Sequence, residues 1–491
     1  MTSGPAPQVE CDVLILSAFE GGEELPPPAA AVDQATGGGL SALMSREKFE
    51  GKASQIAEFT PGDAVAAHKV FVIGLGKQDE CDLDTVLKAT AAAIKKAAGI
   101  SAGKVAIAPA CSFGGKCGCG PMAEAIVSVS LLAGYKFVAH KTEDPKPNSI
   151  ETIELLAACK ASEADMLAGI DRGKVMAEAV CFARDLTNTP ANIATPEYLA
   201  DQARRIADDT GLSTTILGPA EMAEMDMNLV LAVACGSDRE PRFIALKYEA
   251  AGAAKTVAIV GKGLTFDAGG LCLKPGRYMD SMKTDMAGAG SVLAAIKAIA
   301  ALKPDVNVLC LIPATENMPG GNALKPGDIV KAFSGKSVEI NDTDAEGRLI
   351  LADAVAYAER EKVDEIIDIA TLTGACEVAL GKNVAGLMAT DQGMIEKLIA
   401  AGKAGGEKLW QLPLEPEYEE TLSSDIADMK NYAPEAGAIT AAQFIKKHIN
   451  GTAWAHIDIA GPSYGESPYM SAKGATGFGV YTLVNYITNG A

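Results

Sequence analysis

Two short stretches carry residue types suited to chemistry. Residues 261–285 (GKGLTFDAGGLCLKPGRYMDSMKTD) and 342–349 (DTDAEGRL) supply Lys262, Asp267, Lys274, Asp285, Asp344, Glu346 and Arg348. Four carboxylates and three cations therefore sit on segments rich in glycine, where a backbone turns tightly and approaches a ligand closely. Carboxylate oxygens are hard donors, and a pair of divalent ions about 3.5 to 4 Å apart needs carboxylates that bridge as well as carboxylates that terminate. Asp344 and Glu346 are two apart, so an extended backbone sends both side chains to one face. Asp267 and Asp285 come from a separate segment, which lets the site close from two sides. Acidic residues beside glycine are commonly solvated turn formers, so either stretch alone is ambiguous.

The rest of the composition narrows the donor set. Only four histidines are present, His68, His140, His448 and His456, and none stands at metal-binding spacing from another. A catalytic metal must then be held mostly by oxygen. The eleven cysteines form an odd set, and several lie in apolar runs (Cys159, Cys181, Cys235, Cys310), where a reduced thiol behaves as a small core residue. That usage fits a reducing compartment. A formal charge of -20 repels phosphate backbones, and no dense Lys/Arg cluster offsets it, so nucleic acid is not an expected partner. Apolar residues at 48% and charged residues at 22% are the balance of a globular protein. No apolar run reaches the roughly 18 to 20 residues of a membrane helix, and the opening MTSGPAPQVECDVLILS lacks a basic region followed by an apolar one. The expectation is a cytoplasmic protein without membrane attachment.

Elements must now be found that position those residues. A chain of 491 residues exceeds one simple core, which implies two or more domains. Apolar runs predict strands over 13–16, 70–73, 104–108 and 150–156, and periodic spacing predicts helices over 82–98 and 122–132. This alternation implies a small α/β domain over residues 1–165, with assembly or access control as its expected role. A long helix over 162–186 carries the domain junction, and residues 166–491 form the second, catalytic domain. There a helix over 196–207 opens on Thr195 as cap, strands follow over 229–234, 243–248 and 257–260, and further units continue with helix 287–301, strand 307–312, helix 349–360 and strand 365–370. Repeated strand-helix-strand units imply a central, mostly parallel sheet covered by helices, with both chemical stretches at the carboxyl ends of its strands.

Two other features invite a functional reading and do not support one. Gly74-Leu75-Gly76 begins a dinucleotide turn, but the third glycine is missing and Lys77 follows. Cys111, Cys117 and Cys119 fall within nine residues, yet their spacing matches no zinc module, and a surface loop is the simpler reading.

The octapeptide beginning at Asp342 closely resembles the signature of the leucyl aminopeptidase family, the cytosol aminopeptidases, and departs from it only at its first residue, where the family usually has Asn. The resemblance extends through VGKGLTFD ending at Asp267, LKP at 273–275, MKTD ending at Asp285, DIATLTG ending at Gly374, NTP at 188–190 and WAHIDIAG ending at Gly461. It covers residues 170–485 in order. It implies a leucyl aminopeptidase, a metallo-exopeptidase of peptides that prefers N-terminal Leu and other apolar residues.

Carried onto matching positions, the resemblance implies one metal on Asp267, Asp344 and Glu346 and another on Lys262, Asp267, Asp285 and Glu346. Zinc is the first expectation, with manganese, magnesium or cobalt open at the Lys262 site. Lys274 would polarise the scissile carbonyl, and Arg348 would hold a bicarbonate acting as proton shuttle. Met282, Thr371 and Gly374 would line the pocket for the N-terminal side chain, and His456 is expected to be structural. A homohexamer is implied by the resemblance alone. A Cys-Gly dipeptidase and a noncatalytic scaffold of the same fold are the alternatives, and the scaffold predicts a lost ligand that this chain does not show. Asp342 is the departure that matters, since an Asn there donates hydrogen bonds and an ionised Asp does not.

Overall fold

Unbroken runs of apolar, largely branched residues build the centre of the first sheet, because strands buried on both faces need no alternation. In the computed structural model, which describes residues 1, 4–22, 24–108, 118–143, 149–156 and 163–489, the strands of this sheet are β1 (Val13–Ala18), β2 (Ile56–Phe59), β3 (Lys69–Gly74), β4 (Lys104–Ile107) and β5 (Thr152–Leu155), of which β1, β3 and β4 carry the buried runs. Their order is β2-β3-β1-β4-β5, parallel throughout except for β2 against β3. The helix Leu83–Gly99 starts where the sequence predicts, with Asp82 Oδ1 accepting from Thr85 N at 2.8 Å. These elements belong to a unit comprising Met1–Glu178 and Glu466–Lys473. Cys111 and Cys117 lie outside the described residues, as does Cys159; Cys119 opens the helix Cys119–Gly134.

The second unit comprises Ala179–Gly465 and Gly474–Ala491, so the division falls inside the helix Glu163–Asn188. Its strands are β6 (Ser213–Leu217), β7 (Arg242–Tyr248), β8 (Thr256–Gly261), β9 (Gly263–Asp267) and β10 (Asn307–Asn317). There follow β11 (Ile329–Lys331), β12 (Ser337–Glu339), β13 (Glu365–Ala370) and β14 (Val384–Ala389). The set ends with β15 (Lys408–Gln411), β16 (Met429–Lys430) and β17 (Ala453–Asp458).

The large sheet runs β15-β14-β17-β13-β8-β10-β7-β6, with β9 paired on β10. Its centre is parallel from β17 through β13 and β8 to β10, and antiparallel pairs appear only on the flanks, at β14/β17, β10/β7 and β7/β6. Helices cover both faces. Ala258 and Val260 of β8 pack with Leu351, Ala354 and Val355 of the helix Gly347–Arg360. Val257, Ile259 and Gly261 point the other way, and a side chain at Gly261 would strike Val292 of the helix Ala287–Leu302. Each fully buried Leu, Ile or Val in these layers contributes about 1.5 to 3 kcal/mol. The fold class is therefore the expected one: a smaller N-terminal α/β domain and a larger C-terminal α/β domain.

Four local expectations need correction. Residues 229–234 do not form a strand but lie in the helix Asn228–Ala234. The run is too short for periodicity to decide, and a tertiary contact decides it: buried Asp353 Oδ2 accepts from Leu229 N at 2.9 Å and Val230 N at 3.2 Å, satisfying donors at the helix start. Residues 342–346 are not extended, because Asp342 Oδ1 accepts from Asp344 N at 2.9 Å and closes a turn. That stretch also leaves a separate three-stranded sheet, β11-β12-β16, rather than the central one. Finally, Gly276–Leu302 is long and apolar enough by composition to cross a membrane, but 78% of its apolar window is buried inside the protein, as a core helix requires.

Candidate metal centre

β8, β9 and the turn before the helix Gly347–Arg360 bring the charged side chains together. Lys262 follows β8 directly, Asp267 ends β9, and Asp285 follows the short helical turn Met282–Thr284. Lys262 Nζ lies 2.8 Å from Asp285 Oδ2 and 3.1 Å from Glu346 Oε1, and donates to Thr371 O at 2.9 Å. Lys274 Nζ lies 2.7 Å from Asp267 Oδ2 and also contacts Asp344 Oδ1. Two glycines make this crowding possible. A Cβ at Gly347 would sit 2.7 Å from Lys262 Nζ, and one at Gly269, whose φ is +88°, would sit 2.7 Å from Asp344 Oδ1.

Carboxylates from both stretches converge. Ligand oxygens of Asp267, Asp344 and Glu346 lie within 4.8 Å of one another. Lys262, Asp267, Asp285 and Glu346 are buried, and Asp344 is the exposed member. Burial raises Asp285 and the Lys262 charge lowers it, and burial, helped by the charges of Asp267 and Glu346, prevails: its carboxyl is pushed up to about 7. Asp344 rises to about 7 through desolvation first, then through the charges of Glu346 and Asp267. Asp267 is also raised, by burial and by Glu346. Desolvation is the largest influence on Lys262 and lowers its pKa, yet Asp285, Glu346 and Asp267 together hold the ammonium well above its ordinary range. Lys274 behaves alike, held by Asp267, Glu346 and Asp344 against desolvation.

The donor set fits divalent cations. Glu346 Oε2 is buried and has no hydrogen-bond partner among the described residues. Asp285 Oδ2 has Lys262 within ion-pair distance but no hydrogen bond of acceptable geometry, so it too keeps lone pairs unused. An orphaned buried carboxylate oxygen is costly unless a ligand takes it up. Four carboxylates against two ammonium groups leave negative charge in a desolvated space, which hard cations neutralise. For Lys262 to be a ligand it must lose its proton, and the charge of bound cations is what opposes the ammonium form there.

Other side chains hold the cluster in shape, and the sequence did not single them out. Asn317, at the end of β10, donates through Nδ2 to Asp267 Oδ1 at 2.8 Å and to Thr343 O at 3.0 Å, joining the two stretches. Thr343 Oγ1 donates to Gly269 O at 2.7 Å and accepts from Cys272 N at 2.8 Å. Asn317 is buried at the end of its strand, and burial is not legible in one sequence.

The remaining expected positions fall in different places. Thr371 Oγ1 donates to Asp285 Oδ1 at 2.6 Å and so belongs to the cluster. Met282 is half-buried in the turn before Asp285, whereas Gly374 is exposed at the start of the helix Gly374–Leu380 with open space in front of it. Arg348 is buried, donates through Nη1 to Asn431 O at 3.0 Å, and leaves Nε without a partner among the described residues. Burial lowers its pKa to about 10, so it stays cationic at neutral pH. His456 is wholly buried, its Nδ1 paired with Asp368 Oδ1, while Trp454 Nε1 donates to Asp368 Oδ2 at 2.7 Å. It supports the sheet rather than the carboxylate cluster.

Comparisons with known proteins match both units. The catalytic-domain model of the cytosol aminopeptidase family matches residues 181–484, and that family's N-terminal domain model matches residues 15–144. A probable cytosol aminopeptidase of Geotalea uraniireducens is 43% identical over 93% of this chain and 92% of its own length. One from Roseiflexus castenholzii is 43% identical over 99% and 97%. Among solved structures, a mutant of tomato leucine aminopeptidase superposes with a TM-score of 0.89 at 34% identity, covering 99% of this chain and 96% of that one. The bottromycin maturation enzyme BotP in complex with Mn gives 0.87 at 31% identity, covering 97% and 99%.

Proposed function

The chain belongs to the cytosol aminopeptidase family and is a peptide hydrolase, and we propose that it releases N-terminal residues, Leu and other apolar ones preferred, using two divalent ions. The observation that carries this reading is the buried, unpartnered Glu346 Oε2 at the centre of a carboxylate cluster fed by two separate chain segments. Asp267, Asp344 and Glu346 would hold one ion, and Lys262, Asp267, Asp285 and Glu346 the other. Zinc is the leading candidate, and the Mn complex of BotP supports manganese as an occupant. Bound there, divalent ions supply Lewis acidity toward a carbonyl and make water a stronger acid at neutral pH.

The chain's own residues supply the rest. Thr371 holds Asp285 in one orientation through its hydroxyl, and Asn317 holds Asp267. Lys274 holds a half-buried ammonium against Asp267 and Asp344, which favour its charged form. With those carboxylates neutralised by cations, its N–H groups become donors to negative charge developing on the substrate carbonyl oxygen. Arg348 offers the unused Nε–H to an anion, and bicarbonate there would accept and return a proton. No histidine belongs to the carboxylate cluster, which supports a borrowed base. Met282, Thr371 and Gly374 are the proposed pocket for the N-terminal side chain. A homohexamer in the cytoplasm completes the proposal.

The decisive assay is hydrolysis of a panel of aminoacyl amides before and after chelation, followed by readdition of Zn2+ or Mn2+. We expect loss on chelation, recovery on readdition and the highest kcat/KM for Leu. Activity that survives complete metal removal overturns the reading.

A further inference from the structure

We propose that Asn431 is a positioning residue that locks the loop carrying Asp344 and Glu346 to Arg348, an inference that rests on the metal-dependent reading above. Asn431 follows β16 and is completely buried. Its side chain uses its full hydrogen-bonding capacity on one loop. Oδ1 accepts from Asn341 N at 3.0 Å and from Asp342 N at 3.3 Å. Nδ2 donates to Asp342 O at 2.6 Å and to Ala345 O at 3.2 Å. Those bonds bracket Asp344 and reach the residue before Glu346.

The backbone of the same residue does the complementary work. Asn431 O accepts from Arg348 Nη1 at 3.0 Å, and Asn431 N donates to Glu339 O at 3.0 Å, fixing Asn431 to the end of β12. Next to it, Asn341 and Tyr432 exchange two bonds, Asn341 Nδ2 to Tyr432 O and Tyr432 N to Asn341 Oδ1, both at 3.1 Å. One planar amide therefore sets the turn that presents two carboxylates, and the attached carbonyl sets the guanidinium beside them.

The chemistry makes Asn specific here. The loop presents two backbone donors and two backbone acceptors, and a primary amide alone among short side chains answers both. Asp in its place would turn a carboxylate oxygen toward the carbonyls of Asp342 and Ala345, and Ala would take the side-chain partner from four backbone groups of the loop, the buried Ala345 O among them. Groups that orient metal ligands without touching the metal are worth about 10- to 100-fold in metal affinity or activity.

The test compares wild type with Asn431→Ala and Asn431→Asp on the full chain. Three readouts are taken: Mn2+ affinity, kcat and KM for a Leu amide, and hydrogen exchange of the 341–346 amides in metal-free protein. We expect Mn2+ affinity to fall about 10-fold and kcat about 10- to 100-fold with little change in KM, together with faster exchange at Asn341 and Asp342. Wild-type Mn2+ affinity and kcat in either folded variant overturn the proposal. So does a failure of both variants to fold, which would assign Asn431 to the fold. Failure of the underlying reading looks different: wild type itself would bind no Mn2+ or keep its activity without metal, while the exchange result would stand.

Discussion

Buried carboxylates occur in two settings in the catalytic unit, and they differ in who answers them. Asp353 is wholly buried and receives Leu229 N, Val230 N and Phe333 N; Glu407 is buried and receives Gly479 N, Thr482 N and Thr482 Oγ1. Each is a closed account between a side chain and backbone donors near a helix start or turn. At the centre near Lys262 the carboxylates face one another and two ammonium groups, and Glu346 Oε2 faces nothing. Burial lifts Asp353, Glu407 and Asp285 alike to about 7. A displaced pKa thus fails to separate scaffold from site, and the separation comes from mutual crowding plus an unanswered lone pair.

The strongest way to break this contrast is Glu346→Gln. If Glu346 is the shared ligand, kcat/KM falls by about a thousandfold or more, since metal-ion stabilisation is worth several kcal/mol. The melting temperature of metal-free protein should fall only slightly, because Lys262 and Lys274 favour the Glu346 carboxylate but Lys262 keeps Asp285 as a partner. Next comes Asp353→Ala, with the opposite pattern. Stranding three buried N–H groups costs at least about 3 kcal/mol in urea unfolding, while Mn2+ affinity stays within roughly threefold. Equal behaviour of the two variants would dissolve the distinction.

A smaller, graded effect follows from protons. Asp285 and Asp344 lie above their ordinary values at about 7 in the metal-free protein, so below that pH an entering cation must displace their protons. Mn2+ affinity should fall as pH drops from roughly 8 to 5, and Lys262, whose proton the carboxylates hold, extends the rise above 7. For Asp353 and Glu407 the raised value has a stability consequence instead. Their neutral forms favour the fold, so their contribution is full below the ordinary carboxylate range and is lost as pH rises through about 7. Melting of metal-free protein across that range, with and without Mn2+, separates the two sets: added metal should recover only the part owed to the site.

The smallest effect is expected for Asp342→Asn. Asp342 serves the turn as an acceptor for Asp344 N, and an amide oxygen accepts there equally well. Activity and Mn2+ content should stay within about twofold, checked by steady-state kinetics and metal analysis. A larger change would mean that the extra carboxylate acts on the cations through space.

Much of this was legible residue by residue. The apolar runs of β1, β3, β8 and β13, the Thr195 cap, and the seven charged residues were all readable because each signal is local. The helix Asn228–Ala234 was not, since its stabilising acceptor, Asp353, lies more than a hundred residues away. Asn317 and Asn431 were missed for the same reason: an Asn is unremarkable until the backbone groups it answers are known.

The sequence by itself determined the chemistry available: oxygen donors in excess, few histidines, and two glycine-rich segments able to approach closely. It also determined the α/β layering, through runs and periods that any few adjacent residues reveal. Only the tertiary structure decided which carboxylates meet, that residues 342–346 turn rather than extend, and which oxygen is left without a partner. Those facts depend on contacts between segments distant in the chain, where hydrogen-bond geometry and desolvation act, and neither is encoded in the spacing of residues along it.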